Sequence, residues 1–125
     1  MNPKVSVVHV DDDPDILSIT RMSLEVVGNF EVAQFDSGKA LLDNLEGLEP
    51  DAFLLDVMMP EMDGLELLEE LRKLDVYKDT PAVFMTAKAE STFRVELVGL
   101  RSVDCIIKPF DPISLPDRLM AILRK

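Results

Sequence analysis

Residues 5–14 read VSVVHVDDDP, an apolar run that passes directly into three aspartates and a proline. A run of six mostly apolar residues bounded by turn-forming residues is typical of a strand that is covered on both faces. Asp13 followed by Pro14 is typical of a helix start, with aspartate as the N-cap and proline in the first turn. The stretch therefore predicts a buried strand, a short acidic turn and a helix.

The same alternation of apolar runs and helical patterns repeats along the chain. The predicted strands are Val5 to Val10, Glu31 to Phe35, Ala52 to Val57, Ala82 to Thr86 and Cys105 to Ile107. The predicted helices are Pro14 to about Gly28, Lys39 to Leu45 after a Ser37 cap, Gly64 to Leu74, about Ser91 to Gly99, and one from Ser114 with a capping box to Asp117. This (βα)5 order predicts an α/β fold, a doubly wound five-stranded parallel sheet with helices on both faces.

Length and composition predict one domain that covers residues 1–125. The chain has 125 residues, of which 47% are hydrophobic, enough for a core without disulfides or a structural metal. With 24 acidic and 13 basic residues the net charge is −11, which argues against binding to nucleic acid or to an anionic membrane surface. A single cysteine, no signal-peptide pattern and no long apolar segment predict a cytoplasmic location.

Polar and charged residues follow the predicted strands at the points where the strands end. Asp11 and Asp12 follow the first strand, Asp56 ends the third, Thr86 ends the fourth and Lys108 follows the fifth. The carboxyl ends of parallel strands meet at one edge of a sheet, so these side chains should lie together. The sequence therefore predicts a functional site at this edge.

Three carboxylates at one edge predict a cation. Two carboxylates about 4 Å apart repel each other by roughly 4 kcal/mol near a protein surface, so Asp11, Asp12 and Asp56 need a counter-charge. Oxygen ligands with room for water favour Mg²⁺. Asp56 could then attack a phosphoryl group as a carboxylate nucleophile, while Lys108 neutralises its charge and the Thr86 hydroxyl donates to one of its oxygens. Lys108 could also be a simple counter-ion of Asp56, a role that does not compete with phosphate binding.

The motifs that carry these residues resemble the receiver domains of two-component response regulators, which have a flavodoxin-like fold. The resemblance spans nearly the whole chain, strand by strand. The matching stretches are Val8 to Pro14 (VHVDDDP), Leu54 to Pro60 (LLDVMMP) with Met62-Asp63-Gly64, Met85-Thr86-Ala87 and Lys108-Pro109-Phe110.

The resemblance implies a role for each residue at the metal and phosphoryl site. Asp12 would bind Mg²⁺ directly and Asp11 mainly through water, and the backbone carbonyl of Met58 would be a further metal ligand. Asp56 would be the phosphoacceptor.

The resemblance also implies a switch and its partners. Thr86 would be the switch hydroxyl and Lys108 the phosphate-binding lysine, with the Lys108-Pro109 peptide in the cis form. A sensor histidine kinase or a histidine phosphotransfer protein would supply the phosphoryl group. The domain would catalyse only its own phosphorylation and dephosphorylation, and it would act on an output protein through its fourth helix, fifth strand and fifth helix. Cys105 stands where the family usually carries Tyr or Phe, so the aromatic half of that switch is absent at this position.

Two other functions remain open on the sequence. The chain could be a pseudo-receiver, an interaction module without phosphotransfer, although intact Asp12, Asp56 and Lys108 argue against this. It could also be an Mg²⁺-dependent phosphohydrolase, although Met58 occupies the position where such enzymes need an acid-base aspartate. His9 is expected to be a packed strand residue. The sequence leaves open whether the domain stands alone or belongs to a longer regulator or hybrid kinase.

Overall fold

A single parallel sheet forms the centre of the computed structural model, which describes residues 4–86 and 103–124. Its strands are β1 (Ser6–Val10), β2 (Glu31–Phe35), β3 (Ala52–Asp56), β4 (Ala82–Thr86) and β5 (Val103–Ile107). They lie in the order β2-β1-β3-β4-β5, and every neighbouring pair is parallel. The predicted fold class is confirmed, and the order places the ends of β1 and β3 side by side.

Helices cover both faces of the sheet, as predicted. They are α1 (Pro14–Met22), α2 (Gly38–Leu42), α3 (Gly64–Arg72) and the C-terminal helix (Leu115–Leu123). The predicted helix at about residues 91–99 lies outside the described residues. Within residues 4–86 and 103–124, no helix has the length and apolar character that a membrane crossing requires.

The two faces of the sheet bury separate apolar cores. On one face, side chains of β1, β3 and β4 pack against α2 and α3; they include Val8, Val10, Phe53, Leu55, Phe84, Leu41, Leu67 and Leu71. On the other face, the alternate side chains pack against the end of the α1 region and the C-terminal helix; they include Val7, Leu54, Val83, Met85, Ile106, Leu24, Leu115 and Leu119. Alternation along each strand therefore holds the strand ends rigidly between two packed layers.

Helix α1 begins as the sequence predicts and ends in an unexpected geometry. The Asp13 carboxylate accepts a hydrogen bond from the Asp15 amide at 2.9 Å and caps the helix. After Met22 the chain widens into a π-helical turn, Ser23–Val27, which closes at Gly28. The Ser23 hydroxyl donates to the carbonyl of Pro112, and a Cβ built on Gly28 would lie 2.7 Å from Cβ of Pro116. These contacts join α1 to the distant C-terminal region, which a local sequence pattern cannot reveal.

Helices α2 and α3 are shorter than predicted. Helix α2 ends at Leu42 rather than Leu45, and the Asn44 side chain donates to the carbonyl of Ala40 at 2.7 Å. The hydroxyl of Tyr77 donates to the carbonyl of Leu45 at 3.2 Å and to that of Leu48 at 2.7 Å. The Tyr77 hydroxyl thus binds two carbonyls in the turns that follow α2 from Leu45 to Leu48. Helix α3 likewise ends at Arg72, two residues before the predicted end.

The capping box predicted at Ser114 is wrong. Ser114 already has helical backbone angles and its side chain caps nothing. The helix is entered earlier, from Asp111, whose carboxylate accepts from the Ile113 amide at 2.9 Å and whose carbonyl accepts from the Leu115 amide at 3.0 Å. A hydroxyl can cap a helix only from an extended backbone, and that condition fails at Ser114.

Candidate functional site

Three aspartates meet at the carboxyl ends of β1 and β3. Asp11 is completely buried directly after β1, Asp56 is 6% exposed at the end of β3, and Asp12 is open to solvent. Each contributes one carboxylate oxygen to a group whose members all lie within 4.8 Å of one another. The predicted convergence of these acids is confirmed.

Lys108 joins the two buried acids. Its Nζ lies 3.0 Å from Oδ2 of Asp11 and 3.1 Å from Oδ1 of Asp56. The backbone amide of Lys108 donates to the carbonyl of Thr86 at 2.7 Å, and the Lys108-Pro109 peptide is cis, as the resemblance implied. The sequence predicted the contact with Asp56; the contact with Asp11 emerges only from the structure.

The two members of the acidic pair have different surroundings. Both oxygens of Asp11 have partners, because Oδ1 accepts from the Asp13 amide at 2.9 Å and Oδ2 accepts from Lys108. Asp12, in contrast, projects into solvent. This difference is consistent with Asp12 as the direct metal ligand and Asp11 as an indirect one, which stays a prediction.

Burial and charge perturb the titration of the central pair. Burial of the Asp56 carboxyl raises its pKa, the negative charge of Asp11 raises it further, and Lys108 only partly opposes them. Burial also disfavours the charged form of Lys108, but its hydrogen bonds to Asp11 and Asp56 outweigh burial and raise its pKa. The site therefore holds a cation firmly beside a carboxylate that is unfavourable to ionise.

The backbone after Asp56 forms a closed loop. The Val57 amide donates to the carbonyl of Met85 at 3.2 Å, and the Gly64 amide donates to the carbonyl of Val57 at 3.0 Å. Within the loop, Met58 is 79% exposed, and Glu61 has a positive φ of 68°. The exposed Met58 lies two residues from Asp56, and its carbonyl stays a predicted metal ligand.

A capping box that the sequence analysis missed fixes the start of α3. The Asp63 carboxylate accepts from the Glu66 amide at 2.8 Å, and the Glu66 carboxylate accepts from the Asp63 amide at 3.1 Å. The signal was present in the sequence, since an aspartate followed three residues later by glutamate is typical of a helix start. The cap ties the far end of the loop to a rigid helix.

Thr86 and Cys105 lie in the strands to which the sequence analysis assigned them. Thr86 is 6% exposed at the carboxyl end of β4, in register with Ile107 of β5. Cys105 is half-buried in β5, in register with Phe84 of β4. The strand order therefore brings Thr86 to the same edge as the aspartates and Lys108.

His9 is a packed residue, as expected. Its ring is completely buried in β1, and its Nδ1 accepts from Nε2 of Gln34 at 3.0 Å. Burial lowers the pKa of His9 to about 3, with smaller effects from the positive charges of Lys108 and Arg21. A neutral ring without access to solvent is unsuited to carry a phosphoryl group.

The donor set fits a small divalent cation. Asp11, Asp12 and Asp56 offer oxygen atoms only, which are the ligands that Mg²⁺ prefers, and the exposed side of Asp12 leaves room for coordinated water. Within the described residues, three carboxylates face the single ammonium group of Lys108, so a further positive charge would relieve their repulsion.

Comparisons with known proteins agree with this geometry. Residues 7–120 match the model of the response regulator receiver domain. The chain is 35% identical over 125 residues to the alkaline phosphatase synthesis transcriptional regulatory protein PhoP of Bacillus subtilis, covering 100% of this chain and 50% of PhoP. It is 34% identical over 121 residues to the transcriptional regulatory protein TrcR of Mycobacterium tuberculosis, covering 97% of this chain and 46% of TrcR.

The chain thus spans about half the length of these curated relatives. Among solved structures, the chemotaxis protein CheY4 of Vibrio cholerae superposes with a TM-score of 0.88 at 26% identity, covering 96% of this chain and 99% of CheY4.

Proposed function

Because this chain belongs to the family of response regulator receiver domains, we propose that it is a phosphorylation-dependent signalling switch with Asp56 as the phosphoacceptor. One observation carries the proposal. At the carboxyl edge of the sheet, the Lys108 ammonium group lies 3.0 Å from the Asp11 carboxylate and 3.1 Å from the Asp56 carboxylate. This geometry supports the roles proposed for the nucleophile, the acidic pair and the phosphate-binding lysine.

Phosphoryl transfer at this site would need few side chains. A carboxylate oxygen of Asp56 attacks phosphorus, a phosphorus–oxygen bond forms, and the bond from phosphorus to the donor's leaving group breaks. Lys108 is already beside Asp56, so it is placed to neutralise the charge of the incoming group. Mg²⁺ held by Asp11, Asp12, Asp56 and the Met58 carbonyl would supply further charge neutralisation. The raised pKa of Asp56 shows why the carboxylate benefits from cations when it acts as the nucleophile.

The phosphoryl group would change the charge balance around Thr86. Phosphorylation replaces one carboxylate charge by about −1.5 to −2 charges and adds strong acceptor oxygens. The Thr86 hydroxyl could donate to one of them, and its backbone carbonyl already accepts from the Lys108 amide at 2.7 Å. Movement of Thr86 would therefore be transmitted to the backbone around Lys108. From Lys108 the chain continues to the C-terminal helix.

The proposed partners are those that membership of the receiver-domain family implies. The phosphoryl group would come from a sensor histidine kinase or a histidine phosphotransfer protein, and output would pass through the fourth predicted helix, β5 and the C-terminal helix. The domain would cover residues 1–125, of which 7–120 match the family model. It would turn over only its own phosphoryl group.

Intact mass spectrometry tests the proposal. The wild type and Asp56→Asn are each incubated with acetyl phosphate or phosphoramidate, with and without Mg²⁺. We expect the wild type to gain one phosphoryl group that is stable in acid and labile in base, only with Mg²⁺, and we expect no gain in Asp56→Asn. A wild type that binds Mg²⁺ but stays unmodified, also with histidine kinases, would instead favour the pseudo-receiver. Repeated hydrolysis of a phosphate ester would favour the phosphohydrolase.

A further inference from the structure

The aromatic side chain near the phosphoacceptor belongs to β4 rather than to β5. Cys105 in β5 is in register with Phe84 in β4, and both belong to the same face of the sheet. Phe84 is completely buried and stands two residues before Thr86, so the two side chains leave β4 on the same side. The strand that ends in the switch hydroxyl therefore also carries the aromatic ring.

The ring of Phe84 closes around the first residue of α3. A Cβ built on Gly64 would lie 2.3 Å from the carbonyl oxygen of Asp56 and 3.2 Å from Cε1 of Phe84. Only a hydrogen atom fits between these groups. The Asp56 carbonyl oxygen and the ring edge of Phe84 therefore lie next to each other where a side chain at Gly64 would project, and Gly64 packs directly onto both groups.

Hydrogen bonds connect this contact to the backbone that carries Asp56. The Gly64 amide donates to the carbonyl of Val57 at 3.0 Å, and the Val57 amide donates to the carbonyl of Met85 at 3.2 Å. Phe84 and Met85 are neighbours in β4, so one strand supplies both a ring in contact with Gly64 and an acceptor for Val57. Val57, the residue after Asp56, is thus hydrogen-bonded through both its amide and its carbonyl.

We infer that Phe84 is a positioning residue for phosphoryl transfer, because its ring edge packs beside the Asp56 carbonyl against Gly64 and so fixes the backbone that carries the phosphoacceptor. This inference rests on the proposed function of Asp56 and adds a residue to it. Phe84 acts through Gly64 and does not touch the transferring group. A smaller side chain would let the first turn of α3 move, and small displacements of reacting groups slow transfer strongly.

Phe53 offers a matched control. It is also a completely buried phenylalanine, it belongs to the same core and it lies in the neighbouring strand β3. Its ring, however, packs edge-to-face on Tyr77 with a centroid distance of 5.2 Å, near the amino end of the strand. Substitution of either phenylalanine removes similar apolar volume, but only substitution of Phe84 removes the ring that packs beside the Asp56 carbonyl against Gly64.

The first test compares Phe84→Met with Phe53→Met. Phosphorylation by acetyl phosphate at saturating Mg²⁺ is followed by intact mass, and the maximal rate and the KM for acetyl phosphate are determined. We expect Phe84→Met to lower the maximal rate by about 10-fold with little change in KM, and Phe53→Met to stay within about 2-fold of the wild type. Equal rates in the two variants would overturn the inference. Phe84→Leu and Phe53→Leu form a second pair if either methionine variant does not fold.

The second test does not depend on phosphorylation. Hydrogen exchange of the Gly64 amide reports directly on its bond to the Val57 carbonyl. We expect this amide to exchange about 10-fold faster in Phe84→Met than in Phe53→Met when the two are compared at equal global stability. Equal exchange would contradict the positioning role of Phe84. A wild type that accepts no phosphoryl group would disprove the function proposed for Asp56, while the exchange comparison would still decide whether Phe84 fixes this backbone.

Discussion

At the amino ends of the strands, the Asp51 carboxylate accepts a hydrogen bond from the Ser6 amide at 2.7 Å and stays in contact with solvent. At the carboxyl ends, Asp11 and Asp56 are almost completely buried beside the Lys108 ammonium group. Both edges of the sheet therefore contain acids and bases. They differ in how much water reaches those groups, and that difference determines how strongly the charges act on one another.

The amino edge shows what charged residues do when they are left in solvent. Lys4, Asp51 and Arg124 line an open cleft of about 340 Å³ together with Val5, Pro81 and apolar side chains of the C-terminal helix. Water screens these groups, so they contribute little to stability and need no special partners. The comparison teaches that residue type alone does not make a reactive site; burial at the convergent strand ends does. Paired substitutions at the two edges can break or sharpen this comparison.

The largest effect is expected from an added methyl group at the carboxyl edge. In Gly64→Ala, the new Cβ would meet the Asp56 carbonyl at 2.3 Å, and a backbone atom cannot yield as a side chain can. We expect the free energy of unfolding in urea to fall by about 4 kcal/mol. Gly47→Ala is the control at the amino edge, where φ is +81° and nothing lies within 4 Å, so only about 1 kcal/mol should be lost. Similar losses in the two variants would show that Gly64 is not sterically constrained.

The next effect concerns the buried cation. The pKa of Lys108 is raised in the folded state, so its stabilising effect is fully present below the unfolded value of about 10.4, and therefore at pH 7. Lys108→Met leaves Asp11 and Asp56 buried without their counter-ion, and we expect a loss of about 3 kcal/mol at pH 7.

Lys4→Met at the amino edge should change stability by no more than about 0.5 kcal/mol. Urea unfolding at pH 7 and at pH 4 measures both variants. The loss in Lys108→Met should shrink at pH 4, because protonation removes the repulsion between the acids; a loss independent of pH would argue that packing, not charge, is responsible.

Replacing an aspartate by asparagine should change the stability of the protein in opposite directions at the two edges. A carboxyl group whose pKa is raised by folding binds protons more readily in the folded state, so its contribution to stability falls as the pH rises above the unfolded value of about 3.9. Without Mg²⁺, we therefore expect Asp56→Asn to be more stable than the wild type at pH 7 by about 1–2 kcal/mol. The gain should disappear as the pH approaches about 4.

Asp51→Asn should instead lose up to about 1 kcal/mol, because the hydrogen bond to the Ser6 amide weakens. Thermal unfolding from pH 4 to pH 8 measures whether Asp56→Asn gains stability and Asp51→Asn loses it. A destabilised Asp56→Asn at pH 7 would show that Lys108 compensates fully for burial of the carboxylate.

The smallest effect tests whether the amino edge can be changed without disturbing the site. Tyr77→Phe removes the hydroxyl that donates to the carbonyls of Leu45 and Leu48 and keeps the ring against Phe53. We expect a loss of about 1 kcal/mol in urea unfolding and an unchanged rate of phosphorylation by acetyl phosphate. A change in that rate would reveal coupling between the two edges.

Most of the fold was predictable from the sequence, because strand and helix periods are local. Strands β2 and β4 have the predicted bounds, and Asp13 caps α1 as expected. Errors arose at the ends of helices, where hydrogen bonds from other residues compete with the local preference. The hydroxyl of Tyr77 binds carbonyls beyond the end of α2, and Asp111 starts the last helix before Ser114 can cap it.

The residues of the candidate site could be predicted from the sequence, but the contacts between them could not. Strand ends place Asp11, Asp12, Asp56, Thr86 and Lys108 at one edge by topology alone. The contact of Lys108 with Asp11 could not be read from the sequence, and neither could the contact of Phe84 with Gly64. Both depend on side-chain packing between elements that are far apart in the chain.

By itself, then, the sequence of this protein determined a five-stranded parallel sheet and the set of residues at its carboxyl edge. The alternation of apolar runs with helical patterns requires that arrangement. Only the tertiary structure decided that Asp11 and Asp56 are buried while Asp12 is exposed, that one lysine serves both buried acids, and that the Phe84 ring packs beside the Asp56 carbonyl at Gly64. The physical reason is that burial and contact distance result from how two packed layers meet, and no local stretch of sequence contains both layers.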